Sequence, residues 1–376
     1  MSGAPAKSNV SIPRLDVLRA LCFLMVFGCH AFYSDDPAIN QHPVWRAVIS
    51  PLFSNGAVGV NVFFALSGFL ITYLLIREKM TFGNIHVPKF WLRRVLRIWP
   101  LYFAVVVIGF VLFPMAKSAL GQPVGDNGSA WSFIFFYNNL PMAHGFTTDS
   151  SILSVLWSIA VEEQFYLVWP LLLFALPVRG FPWAFAAVLL ASILFKYTAD
   201  TVQLRTWHTF SCMGDLATGA SAACIAASER GARWVASWKW PAVLVIHLIW
   251  ILLYVPQTGF VPPLTEVLDP VLFALFSTAV ILYQGFGGPT FLRMREFPVL
   301  VRLGRISYGL YCLHMVAILL VLQLLSLAGL QGFWVSAVLF PCTALVLSIL
   351  FASVSHRFLE TPFLRLKDRF AFIVRG

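Results

Sequence analysis

An arginine and a histidine share the first apolar stretch of the chain, RLDVLRALCFLMVFGCH. Arg19 and His30 lie eleven residues apart, so an α-helix would place them on one face, about 16 Å apart along its axis. Ionisable groups inside apolar segments are costly and usually face a cavity. Neutral histidine can take a proton from a hydroxyl near physiological pH. We therefore predict catalytic roles for His30 and Arg19. The alternative is an anchoring arginine and a packed, hydrogen-bonded histidine.

Two adjacent acids interrupt a later apolar stretch, SVLWSIAVEEQFYLVWP. On a helix, Glu162 lies on one i,i+4 stripe with Ser158 and Tyr166, whereas Glu163 points about 100° away. A carboxylate beside an imidazole would fix the tautomer of the ring and raise its basicity. Both acids are therefore candidate catalytic residues. Each could instead be a structural acid paired with an arginine of another helix.

Three arginines, Arg93, Arg94 and Arg97, stand close together in WLRRVLRIWPLY. Guanidinium groups suit phosphate because their planar fork donates two parallel hydrogen bonds. These residues predict a site for a phosphate-bearing ligand, and the alternative is an ordinary basic flank of a membrane span.

His314, in RISYGLYCLHM, is a candidate for catalysis and equally for a packed core histidine. The cysteines have no metal-ligand spacing, so no metal is predicted.

The elements that carry these residues are predicted to cross a membrane. Of 376 residues, 59% are hydrophobic and 11% charged, and the mean hydropathy is +0.82; soluble domains carry about 25% charged residues. We predict an all-α polytopic membrane protein with about ten transmembrane helices, each needing about 20 residues. The predicted spans are 15–34, 56–76, 98–116, 152–176, 181–196, 209–227, 241–255, 268–286, 305–327 and 333–355.

The basic residues indicate how these spans are oriented. With the N-terminus inside, four of the 26 Lys and Arg residues fall in outer loops: Arg46, Lys117, Lys196 and Arg205. Because Lys and Arg accumulate on the cytoplasmic side, both termini are predicted to be cytoplasmic. The net charge of +10 then reports topology and contact with membrane lipids, and a nucleic-acid partner is excluded. We expect a disordered segment at 1–12, a transmembrane domain at 13–362 and a basic cytoplasmic tail at 363–376.

Six segments, taken in order, resemble the acyltransferase 3 family of integral membrane O-acyltransferases. They are RLDVLRA followed by His30, GVNVFFALSGFLIT, RRVLRIWPLY, SVLWSIAVEEQFYLVWP, ISYGLYCLH and ETP, which together extend from Arg14 to about Pro362. The resemblance implies a ten-helix domain that takes acyl groups, usually acetyl, from a cytoplasmic acyl-CoA. It would pass them to a hydroxyl of a carbohydrate or glycolipid at the outer side of the membrane.

The resemblance also implies roles for single residues. Arg19 and His30 match the essential Arg/His pair of the family, Arg94 and Arg97 match its basic motif, and Glu162 and Glu163 match its paired acids. Asp215 departs from the Arg-containing stretch that is commoner at that point.

The function expected from the sequence is O-acylation, with acetyl-CoA as the expected co-substrate, in a bacterial cytoplasmic (inner) membrane. The inner arginines would hold the CoA phosphates, and His30 would act as general base on the acceptor hydroxyl. Direct transfer and an acyl-histidine intermediate both stay open. The rival function is a transporter or flippase for a lipid-linked sugar or organic acid. It is disfavoured because internal repeats and Gly- or Pro-broken helix pairs are lacking.

Overall fold

Long helices make up most of the structure. The computed structural model describes residues 8–10, 15–53, 56–257, 267–288, 297–370 and 373–375. We number its longer helices in chain order: α1 Asp16–Ala31, α2 Ala57–Phe82, α3 Val87–Val107, α4 Trp157–Ala175, α5 Phe181–Thr198, α6 Thr209–Ala227, α7 Trp240–Gln257, α8 Leu268–Phe286, α9 Ser307–Leu327 and α10 Phe340–Ser355, followed by α11 Thr361–Asp368. Each predicted span overlaps one of the helices α1–α10.

Short helical segments join or extend these helices. Four are π-helical: Trp45–Ile49, Ile108–Leu112, Val335–Leu339 and His356–Glu360. The last of them joins α10 to α11 without a break. The others are Pro37–Asn40, Ser50–Phe53, Phe113–Ala119, Ala130–Ile134, Asn139–Ala143, Ser151–Ser154, the 3-10 turn Val178–Gly180, Val202–Trp207, Glu229–Ala236 and Pro298–Arg305.

The length and apolarity of the helices make the chain a multi-pass integral membrane protein. Within the described residues, eight helical segments are long and apolar enough to cross a membrane. The number rises to nine if Glu229–Ala236 and Trp240–Tyr254, bent by 91°, form one span. The first helix, α1, has 16 residues, fewer than the about 20 that a full span needs. The count of ten spans therefore stays a prediction.

The second long helix, α2, lies at the centre of the fold. It packs against α1, α4, α6 and α8, and its contact with α6 is the most extensive between any two described helices. The two backbones approach closely at Gly68 and Gly219. A Cβ at Gly68 would lie 2.0 Å from the carbonyl oxygen of Leu216, and one at Gly219 would lie 2.0 Å from that of Ala65. Small residues allow such close approach between membrane helices.

The two ends of the chain meet. Ser8–Val10 (β1) and Ile373–Arg375 (β2) form a two-stranded parallel sheet in which Ser8 lies opposite Ile373. These six residues are a departure from the predicted all-α fold. The predicted disorder of residues 1–12 falls mostly outside the described residues, and β1 lies within that range. The helix α11 crosses the predicted boundary between 362 and 363.

Candidate functional site

Five helices enclose a cavity of about 160 Å³. The lining residues come from α1, α2, α3, α4 and α9. Four of the predicted site residues share this cavity: Arg19, Arg94, Arg97 and Glu162. These are the charged residues of the lining, so three guanidinium groups face one carboxylate. An excess of positive charge in a confined space favours an anionic ligand.

One arginine in the cavity, Arg94, has no carboxylate partner among the described residues. The guanidinium of Arg94 lies over the rings of Phe90 and Tyr166, each 5.7 Å from the ring centre. No carboxylate of the described residues lies within ion-pair distance of it, and its Nε is buried without a hydrogen-bond partner. Phe90 and Tyr166 therefore hold the guanidinium by cation–π contact, and its hydrogen-bonding groups remain available to a ligand in the cavity.

The other two arginines of the cavity are partly neutralised. Arg97 lies 3.6 Å from the buried carboxylate of Glu360, and its guanidinium lies over the ring of Tyr308 at 5.7 Å. Arg19 lies 3.4 Å from Asp16, one turn earlier on α1. Neither Asp16 nor Glu360 lines the cavity, so the guanidinium of each arginine can still face a ligand there.

Arg93 and Glu163 lie outside the cavity lining. Arg93 lies 3.3 Å from the buried carboxylate of Glu78 and donates to the carbonyl of Phe370 at 3.1 Å. Glu163 accepts a hydrogen bond of 3.1 Å from the indole of Trp99. Each therefore stands next in sequence to a cavity residue but contacts a different part of the protein.

Glu162 is the acid that the cavity contains. The hydroxyl of Tyr166 donates to its Oε2 at 2.7 Å, and Ser67 on α2 lies 2.5 Å from the same hydroxyl. Because the tyrosine gives its proton to the carboxylate, Ser67 must be the donor in the second bond. Ser158, Glu162 and Tyr166 all line the cavity, as their predicted stripe requires.

Polar contacts fix α4 against α2 and so hold this acid in place. The indole of Trp169 donates to Thr72 at 2.8 Å. Further along α2, Lys79 donates to the carbonyls of Leu173 and Leu176 at 2.7 and 2.6 Å. These carbonyls end α4 and lack helical partners, so the lysine caps the helix. The register of α4 is thereby fixed from its middle to its end.

The two predicted histidines form a pair beside the cavity. The rings of His30 and His314 are 5.3 Å apart between centres. His314 is fully buried, and its Nδ1 bonds to the carbonyl of Tyr311 at 2.7 Å. A carbonyl can only accept, so Nδ1 carries the proton, and Nε2 of the neutral ring has a free lone pair. Within the described structure that Nε2 is buried without a partner.

Sequence reasoning missed two tyrosines of the site. Tyr308 and Tyr311 line the cavity from α9. The hydroxyl of Tyr311 bonds to Ser158 at 2.6 Å, and that of Tyr308 to the carbonyl of Ile98 at 2.7 Å. The signal that could have found Tyr311 is its position three residues before His314, on the same helix face. Because the carbonyl of Tyr311 accepts a hydrogen bond from Nδ1 of His314, Tyr311 connects the cavity to the histidine pair.

The part of the chain that the structure describes contains no group of three His, Cys, Asp or Glu residues that could hold a metal ion. The polar groups of the cavity are instead guanidinium, carboxylate and hydroxyl groups, which suit an organic anion and a hydroxyl compound.

Comparison with known proteins gives one family. Residues 12–353 match the family model described as an acyltransferase domain. The chain is 28% identical over 373 residues, 94% of its length, to the peptidoglycan O-acetyltransferase OatA of Listeria monocytogenes. It is 29% identical over 394 residues to the acyltransferase MdmB of Streptomyces mycarofaciens, covering 96% of this chain and 93% of that relative.

A third relative matches part of the chain. The putative peptidoglycan O-acetyltransferase YrhL of Bacillus subtilis is 30% identical over 167 residues, 43% of this chain and 24% of the relative. The chain spans about half the length of the Listeria relative, 56%. No solved structure matches the chain.

Proposed function

The chain belongs to the acyltransferase 3 family, and from that premise we propose that it is an O-acyltransferase using cytoplasmic acyl-CoA as donor. The acyl group, with acetyl expected, is transferred to a hydroxyl of a cell-envelope carbohydrate. The names of two relatives specify peptidoglycan as their acceptor. For this chain we propose the broader class, an envelope or exported carbohydrate reached from the outer side of a bacterial cytoplasmic membrane.

The observation that carries the proposal is the guanidinium of Arg94, which lines the cavity and has no carboxylate partner among the described residues. A phosphate group of the donor supplies the negative charge that the described residues do not supply to Arg94. Arginine binds phosphate through two parallel hydrogen bonds, and Arg19 and Arg97 add positive charge to the same cavity. Glu162, held by Tyr166, limits the excess charge, and we assign the functional role of the acid pair to it.

The donor then extends along α1. This helix is continuous from Asp16 to Ala31, so Arg19 and His30 are about 16 Å apart along its axis. With its phosphates at the arginines, the donor reaches the histidine pair with its thioester end. The helix α1 therefore links the charged cavity to the place where the acyl group is transferred.

At the thioester end, we assign the general base to His30. Its unprotonated nitrogen takes the proton of the acceptor hydroxyl as the oxygen attacks the thioester carbonyl. The carbon–sulfur bond breaks, and the CoA thiolate leaves and takes the proton from the imidazolium of His30, which regenerates the base. We propose that Nε2 of His314, which has no partner in the described structure, accepts the N–H of His30 once the donor is bound; this keeps the lone pair of His30 on the nitrogen that faces the hydroxyl. The same pair would serve a covalent acyl-histidine.

The test is a transfer assay with the purified full chain. The probes are acetyl-CoA labelled in its acetyl group and soluble peptidoglycan fragments, and the expected product is labelled carbohydrate. Arg94→Ala should weaken donor affinity by roughly 10–100-fold, the size of a lost charged hydrogen bond. Arg94→Lys should restore part of it, because lysine keeps the charge without the fork.

The matched control is Arg179→Ala, which removes an exposed arginine remote from the cavity lining and should leave donor affinity unchanged. Uptake of the carbohydrate fragments into proteoliposomes without any transferred label would refute the enzyme and support a transporter. Wild-type donor affinity in Arg94→Ala would refute the phosphate site.

A further inference from the structure

The C-terminal segment packs on the helix that carries the arginines. This segment begins after residue 353, where the family match ends. Its helix α11 packs against α3. Before α11, Glu360 lies 3.6 Å from Arg97, and after it the carbonyl of Phe370 accepts from Arg93 at 3.1 Å. The segment is therefore attached at both ends to the basic face of α3.

Between these two attachments, on the helix that packs against α3, lies Lys367. Its side chain is 26% exposed, and the positive charges of Arg94 and Arg97 act on it. Its nearest acid, Asp368, is 3.6 Å away but 72% exposed, so water screens that attraction. Arg357, Arg365 and Arg369 of this segment are exposed.

The local balance of charge at this place is positive. The charges of Arg94 and Arg97 act on Lys367, and Glu360 is the carboxylate that pairs with Arg97. Like charges in partly buried positions repel one another and destabilise the fold. A bound anion removes that repulsion, and lysine is a common point-charge ligand of phosphate. Arg94 on α3 and Lys367 on α11, which packs against α3, can each bind a phosphate group of one ligand.

We propose that Lys367 binds a phosphate group of the acyl donor and that α11 forms the cytoplasmic wall of the donor site. The proposal rests on the proposed function, because it takes acyl-CoA as the donor. It extends the donor site beyond the part of the chain that the family match covers. Arg94 binds the phosphate group nearer the cavity, and Lys367 binds one nearer the cytoplasm.

The experiment measures binding of CoA and of adenosine 3′,5′-bisphosphate to the detergent-purified full chain by titration calorimetry. Lys367→Met should weaken both about fivefold, the size of one partly exposed charged contact, and Lys367→Arg should restore most of the affinity. Arg369→Met removes the same charge from the exposed face of the same segment and should change neither affinity. Pantetheine, which has no phosphate, should bind all variants alike.

The outcomes distinguish the role of Lys367 from the use of acyl-CoA as donor. Unchanged CoA affinity in Lys367→Met, or equal losses in Lys367→Met and Arg369→Met, would overturn the role of Lys367 and leave the proposed function intact. If Lys367→Met bound phosphatidylglycerol vesicles more weakly than the wild type but kept its CoA affinity, Lys367 would be assigned to the membrane surface instead. Failure of the wild-type chain to bind CoA would overturn both proposals together.

Discussion

At the scale of single residues, adjacent side chains of the site have different partners. Glu162 lines the cavity while Glu163 bonds to Trp99, and Arg94 lines the cavity while Arg93 pairs with Glu78. The cause is the rotation of about 100° per residue along a helix. A doubled acid or arginine therefore supplies one group to the site and one to the surrounding structure.

The histidine pair leads to a prediction about turnover. His30→Gln should lower the transfer rate by roughly 10²–10⁴-fold, because it removes the general base. His314→Leu should lower the rate less, because it removes only the proposed acceptor for the N–H of His30, while donor affinity stays unchanged. His314→Gln should recover part of that rate, because its carbonyl oxygen can accept the same hydrogen bond. The measurements are kcat and donor KM of each variant.

The control for the histidine variants is His247→Gln. His247 is also buried in the membrane domain and bonds to the carbonyl of Val243, but its other ring nitrogen bonds to Gln284 of α8. Its variant should keep wild-type turnover. If His314→Leu turned over as fast as the wild type, His314 would not orient the base. If His30→Gln did so, the base would be another residue.

The sequence predicted which residue types enter the site better than it predicted their partners. The stripe of Ser158, Glu162 and Tyr166 follows from helix geometry alone, and the structure places all three in the cavity. The hydrogen bond from Arg93 to Phe370 joins residues 277 positions apart. Local periodicity has no information about such a contact, because it depends on which helices pack together.

At the scale of helices, hydropathy located the elements but not their ends. The span predicted at 268–286 coincides with α8, whereas α2 and α3 continue well beyond their predicted ranges on the side that faces their common turn. The polar ends of these helices are stabilised by tertiary contacts, such as that of Lys79 with the end of α4. Apolar length alone cannot report those contacts.

The close packing of α2 against α6 leads to a prediction about stability. A Cβ at Gly68 would meet the backbone of Leu216 at 2.0 Å, and backbone cannot move aside cheaply in a packed core. Gly68→Ala should therefore destabilise the protein by about 1–3 kcal/mol. Gly180→Ala is the matched control, since its nearest atoms are 3.8 Å away, in ordinary contact. Thermal unfolding in detergent should show a lower Tm for Gly68→Ala alone; equal Tm values would mean that the helices have room to separate.

At the scale of the whole molecule, contacts distant in sequence place several segments on one side. Lys79 lies near the end of α2 and bonds to the end of α4, so the turn at Gly83 and the end of α4 share a side. Arg93 lies near the start of α3 and bonds to Phe370, which adds the C-terminal segment to that side. The pairing of β1 with β2 adds the N-terminal end.

The last prediction concerns which side this is. Reporters inserted near residue 83 or fused after residue 376 should agree with each other, because the bonds of Lys79 and Arg93 require a common side. The distribution of Lys and Arg predicts that the side is cytoplasmic, and that a reporter near residue 232 is cytoplasmic as well. A reporter near residue 125 should be extracytoplasmic. This position lies in the predicted outer loop, between Lys117 and Asp149, which form an ion pair of 2.7 Å. Disagreement between the reporters at 83 and 376 would contradict the packing of the C-terminal segment on α3. Agreement of both with an outer location would leave the packing intact and reverse the orientation, and acyl-CoA could then not reach Arg94 from the cytoplasm.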